Sequence, residues 1–120
     1  MMTSRIKGGD RRYPTGDNSA NAAAASAAVA AGSGTIHHIC GYSTIAQYIQ
    51  IHDAAALPAN GINCLFTLPV LADNWFEKDF GEGGLPFFNG IQLCNSTTAI
   101  AKTLGAADCQ FVCSYRLKHS

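Results

Sequence analysis

The stretch Cys109-Gln110-Phe111-Val112-Cys113-Ser114-Tyr115-Arg116-Leu117 decides the fold. Cys109, Phe111, Cys113, Tyr115 and Leu117 alternate with Gln110, Ser114 and Arg116, and only Val112 breaks the polar side. A period of two sends successive side chains to opposite faces, as a strand with one buried face requires. Similar runs occupy 35–42, 45–53, 63–70, 74–80 and 87–94, rich in β-branched and aromatic residues and separated by Gly, Pro, Asn and Asp. Short strands with such punctuation predict an all-β chain, with a compact antiparallel β-sandwich or jelly-roll-like domain over residues 35–120.

Within these runs, Ile49 and Ile51 face one way and Tyr48, Gln50 and His52 the other, which predicts a strand buried on one side. Cys64, Phe66, Leu68 and Val70 point inward, and Pro69, lacking a donor, puts that strand end at an edge or bulge. Phe76 and Phe80 share a face around Lys78, and Gly81-Glu82-Gly83-Gly84 ends the run. Pro58-Ala59-Asn60-Gly61 reverses the chain. Thr97 to Leu104, closed by Gly105, fits either two helical turns or an extended loop.

Residues 1–34 read differently. Nine of the twelve residues from Ala20 to Ala31 are alanine, so this segment has too little side-chain area to build a core of its own. It reads as an extended, alanine-rich N-terminal arm that is ordered on other chains. Asn18 or Ser19 would cap a helix ending before Gly32, about 18 Å long. Fully extended, the arm would reach on the order of 110 Å. Arg5, Arg11, Arg12 and Tyr13 are the candidates for polar anchoring, and Ala22, Ala23, Ala24, Ala25 and Ala28, within the tract that runs to Ala31, for close packing against a neighbouring backbone.

The whole chain has 120 residues, which suits one domain with an appendage. Eight Lys plus Arg balance eight Asp plus Glu, so bulk charge gives no support for specific nucleic-acid or membrane binding. The charged fraction of 13%, beside 48% apolar residues, predicts a subunit that covers part of its surface with neighbours, itself included as a homo-oligomer. No window approaches the ~18 strongly apolar residues of a membrane span. A secretory leader is not expected either, because Arg11 and Arg12 are followed by polar residues and then bare alanines.

Five cysteines, Cys40, Cys64, Cys94, Cys109 and Cys113, show no CxxC spacing and read as reduced, packed thiols of a cytoplasmic product. Cys109 and Cys113 lie about 13 Å apart on a strand, beyond the ~7 Å reach of a bridge. A bridge between Cys64 and Cys94 stays open. His37, His38 and Cys40 are close in sequence, but on a strand His37 points away from the other two, so no metal site, no cofactor and no catalytic thiol is expected even with His52 and Asp53 nearby. Glu77 and Asp79 read as a solvated strand face, and the glycines at 81–84 lack the Lys-Ser/Thr of a phosphate cradle. Trp75 with Phe76, and Phe87 with Phe88, offer aromatic anchors for a partner or a glycan, against the commoner fate of core packing.

Three further stretches carry a family likeness. Tyr48-Ile49-Gln50-Ile51-His52-Asp53, then Leu57-Pro58-Ala59-Asn60-Gly61, then Phe66-Thr67-Leu68-Pro69-Val70 resemble the small β-sandwich structural proteins of tailed bacteriophages, decoration or cement and tail-associated proteins among them. Phe80-Gly81, Phe88 to Thr97 and Gly105 to Cys109 continue the resemblance, which spans roughly 35–117 and leaves out the arm. It implies a non-enzymatic virion protein made in the bacterial cytoplasm, foremost a capsid decoration or cement subunit that binds the major capsid protein or other virion proteins. The alternative is a tail, baseplate or fibre component that binds a host surface glycan through Trp75 or Tyr42.

Overall fold

A computed structural model describes residues 26–117. Eight strands run in order: β1 (Ser26–Ala31), β2 (Gly34–Ser43), β3 (Gln47–Asp53), β4 (Phe66–Val70), β5 (Asn74–Asp79), β6 (Leu85–Phe87), β7 (Gly90–Ser96) and β8 (Cys109–Leu117). They pair antiparallel in two sheets. The first has the order β1-β7-β3-β4. In the second, β2 is central; β8 follows one of its edges from Gly34 to Ser43, while β6 and β5 share the other edge in succession. The all-β sandwich expected from the alternation is the fold found.

The core lies between the sheets. Ile49, Ile51, Val70, Ile91 and Leu93 from the first meet Ile36, Ile39, Phe76, Phe87, Cys109, Phe111 and Cys113 from the second. Strict alternation would send Ile36 and Ile39 to opposite faces. The register of β2 on β8 slips between Ile36 and His38, and the extra residue His37 turns both isoleucines inward, where each is fully buried. Gly41 sits where β2, β8 and β5 are pressed together, and a Cβ there would collide with the Gln110 carbonyl oxygen and the Phe76 ring.

Several expectations need correction. The helix expected up to Gly32 does not form over its last stretch: Ser26–Ala31 is an edge strand of this chain's own sheet, paired with β7. Its alanines have helix propensity, but β7 offers an open row of backbone donors and acceptors, and that ladder decides the conformation. Ala28, within β1, lies opposite Gln92. Arg5, Arg11, Arg12, Tyr13, Ala22, Ala23, Ala24 and Ala25 lie outside the described residues.

The run expected over 87–94 divides into β6 and β7 at Phe88 and Asn89. Asp53 makes the break: its Oδ1 accepts the amides of Phe88, Asn89 and Gly90 at 3.0, 2.7 and 3.3 Å, which fixes a turn. Two runs start later than expected, at Gln47 and Phe66. Residues 97–104 form a loop, tied by bridges from Ala101 to Asn63 and from Leu104 to Ser96. Pro69 does lie on an edge strand, β4.

Gly41→Ala should lower the unfolding free energy by about 1–3 kcal/mol, because backbone on one side and a core ring on the other leave the new methyl nowhere to go. Urea denaturation measures it; a variant as stable as the parent would contradict the packing described.

Candidate functional site

The two outer faces of the sandwich differ. On the first sheet, Gln50 and His52 were expected to face solvent, yet both are buried, His52 at 2% exposure. The loop over 97–104 covers them: the Gln50 Nε2 donates toward the carbonyls of Thr98, Ala99 and Ile100 at 3.1, 3.1 and 3.3 Å. Gln50 Oε1 and His52 Nε2 lie 2.9 Å apart. Ser96 Oγ accepts the amides of Thr98 and Thr103, and the buried Lys102 donates from Nζ to Asn60 at 2.6 Å. Burial, and then the Lys102 charge, hold the His52 pKa below its ordinary value. This face is closed by the chain itself.

The outer face of the second sheet is open. Register sets Tyr42 beside Trp75 on β5 and Gln110 on β8. Trp75 is 72% exposed while its neighbour Phe76 is 6% exposed, so alternation divides that aromatic pair between solvent and core. Phe87 and Phe88 divide likewise, Phe87 inward and Phe88 outward. The Tyr42 and Trp75 rings meet edge to face, centroids 5.0 Å apart and planes at 65°. Tyr42 Oη donates to Asp73 at 3.4 Å, and Asp73 takes a left-handed φ of 53° in the turn before β5.

Next to the two rings lies a groove of about 390 Å³, completed by Thr44 and by Ala107 to Gln110. Its Asp108 is held from within, with Oδ1 accepting Gln47 Nε2 at 2.7 Å and Asn95 Nδ2 at 2.9 Å. The Asp108 carbonyl accepts both the amide and the hydroxyl of Thr44. Paired backbone therefore gathers two aromatic rings and the polar residues Thr44, Asp108 and Gln110 around one recess. Trp75 and Tyr42 stand out in the sequence; Thr44, two residues after Tyr42, does not, and Asp108 and Gln110 come beside them only through the pairing of β2 with β8.

The other candidate clusters come apart. His38 Nε2 lies 2.9 Å from Glu77 Oε2, whereas His37 reaches Thr35 Oγ1 at 3.2 Å and the Gly81 carbonyl at 3.5 Å. The five cysteines are free thiols. Burial pushes Cys40, Cys64 and Cys109 upward and Cys94 up to about 11, which keeps these thiols protonated and weakly nucleophilic near neutrality. A second recess, about 460 Å³, lies by Thr35, His37, Glu82, Phe88 and Arg116 and mixes charges of both signs. No family model, no curated protein and no solved structure matches the chain.

The His52 environment predicts a pH dependence. A folded pKa below the ordinary 6.5 means that the unfolded chain takes up the proton first, so this contribution to stability is complete above about pH 6.5 and declines as the pH falls toward the folded value. Urea midpoints measured between about pH 7.5 and about pH 5 should therefore fall more steeply for the parent than for His52→Gln, which keeps a donor for Gln50 without the titration. Equal slopes would contradict the assignment. Thiol labelling of the native chain should reach the half-buried Cys40 and Cys64 before the buried Cys94, Cys109 and Cys113, as peptide mapping would show.

Proposed function

We propose that the chain is a non-enzymatic structural subunit of a tailed-bacteriophage virion, a capsid decoration or cement protein that works by docking. The observation that carries this reading is the way the leading residues enter the fold. They arrive through β1, the edge strand of the first sheet, so the chain that precedes Ser26 starts from the rim of the sandwich. A segment leaving from a rim can extend along a neighbouring subunit without disturbing the core. The resemblance over 35–117, the charged fraction of 13% and the exposed apolar side chains support the same reading.

The partners are the major capsid protein and further copies of the chain, with Arg5, Arg11, Arg12 and Tyr13 as polar anchors and the alanines at 22–25 as the close-packing stretch. Each alanine methyl buried at such a contact contributes only about 0.8 kcal/mol, and many subunits held on one lattice add through effective concentration. A place in the tail, baseplate or fibre is the second reading, favoured by the exposed Tyr42–Trp75 shelf.

Quantitative mass spectrometry of purified particles, scaled to the major capsid protein, tests both. Hundreds of copies per particle are expected; a handful would place the chain in the tail, and its absence from particles would overturn the proposal. Deleting residues 2–25, which leaves β1 in place, should reduce occupancy on the order of tenfold while the melting temperature of the sandwich stays within a few degrees. Full occupancy by the shortened chain would remove the arm from the mechanism.

A further inference from the structure

We propose that the groove beside Tyr42 and Trp75 binds an uncharged pyranose unit of a glycan. The proposal deepens the second reading, on whose Tyr42–Trp75 shelf it rests, and does not depend on the capsid role.

Three features of the groove select the ligand. The first is the apolar shelf: Trp75 projects from a strand whose next residue is locked in the core, so its ring is held out by the backbone. Tyr42 meets it at 65°, which makes a floor and a wall. The C–H face of a sugar ring is flat and apolar and can lie on one ring while its edge meets the other. The second is the polar rim. Thr44, Asp108 and Gln110 supply a hydroxyl, a carboxylate and a carboxamide, groups that exchange hydrogen bonds with sugar hydroxyls. Asp108 is already oriented by Gln47 and Asn95, so little ordering is left for the ligand to impose.

The third is charge. Asp108 lines the groove and Asp73 lies against the Tyr42 hydroxyl, and among the described residues no cationic side chain lines the recess. Two carboxylates in or beside the recess disfavour phosphate, sulfate and acidic sugars, whereas a neutral polyol meets no such repulsion. A quaternary ammonium ligand calls for an enclosing aromatic cage, and here two rings border an open trough.

Trp75 is the single tryptophan of the chain, so its emission reports this site alone. The full chain is titrated with neutral gluco-, manno-, galacto- and N-acetylated chito-oligosaccharides, followed by fluorescence and by calorimetry. At least one neutral series is expected to shift the emission and to bind, and Trp75→Ala and Tyr42→Ala should each weaken that binding on the order of tenfold, with Gln110→Ala weaker by a smaller factor. These side chains are exposed or half-buried, and circular dichroism and melting check that each variant remains folded. Failure of every neutral series would overturn the proposal, as would binding that survives Trp75→Ala, or choline or sialylated sugars binding in place of neutral ones. Particle counts for Trp75→Ala separate the two proposals: sugar binding lost at full occupancy leaves the assembly role standing, and sugar binding by a chain absent from particles removes that role alone.

Discussion

Strand β2 is in register with a partner on both edges from Gly34 to Ile36 and again from His38 to Ser43, and the rest of the sandwich is arranged around that constraint. Its first three residues hold β6 and β8, its last six hold β5 and β8, and between them His37 stands outside both registers and accepts the Phe80 amide on its carbonyl at 2.9 Å. A strand used on both sides has no freedom to slide, because a slip of one position would invert every side chain on it. The extra residue at His37 turns both Ile36 and Ile39 into the core and returns Tyr42 to the outside. Gly41 allows β8 and the Phe76 ring to close on the same backbone. The position of Tyr42 beside Trp75 is thus fixed by backbone pairing rather than by contact between the rings.

The two sheets use polar side chains in opposite ways. Behind the first sheet, Gln50, His52, Ser96 and Lys102 are shut in, and their hydrogen bonds fasten the loop that covers them. Buried polar groups of this kind stabilise only when matched, so they define one loop conformation among many apolar alternatives. At the end of the core, Gln47, Asn95 and Asp108 form a second such cluster, with Asn95 Nδ2 donating to both Gln47 Oε1 and Asp108 Oδ1 at 2.9 Å. That cluster reaches the surface through Asp108. It is the physical link between the packed interior and the groove.

The sequence was most readable where one strand had one buried face. Residues 109–117 and the inward series Phe66, Leu68, Val70 announced their faces through a period of two, and Pro69 announced an edge through its missing donor. The tract at 26–31 was not readable, because alanine spacing says nothing about a partner strand sixty residues away in the chain. Gln50 and His52 misled for a related reason: a polar residue at an alternate position looks solvated until a distant loop folds over it. At Trp75 and Phe76 the chain states that two aromatics are adjacent, and the parity of β5 decides which is outside. The groove needed β2, β5 and β8 in register, and register is a property of three segments that no one of them encodes.

Among the described residues, strand β1 sits at a rim and is bonded on one side, with residues 1–25 preceding it in the chain. Tension on that preceding chain, with the globule anchored, is borne first by the β1–β7 ladder and not by the hydrophobic interior. Peeling the six residues free would release about 20 Å of slack at roughly 3.3 Å per residue and leave the pairings among the other seven strands in place. By ladder geometry alone, β1 is the element that a pull on the preceding chain would unzip first.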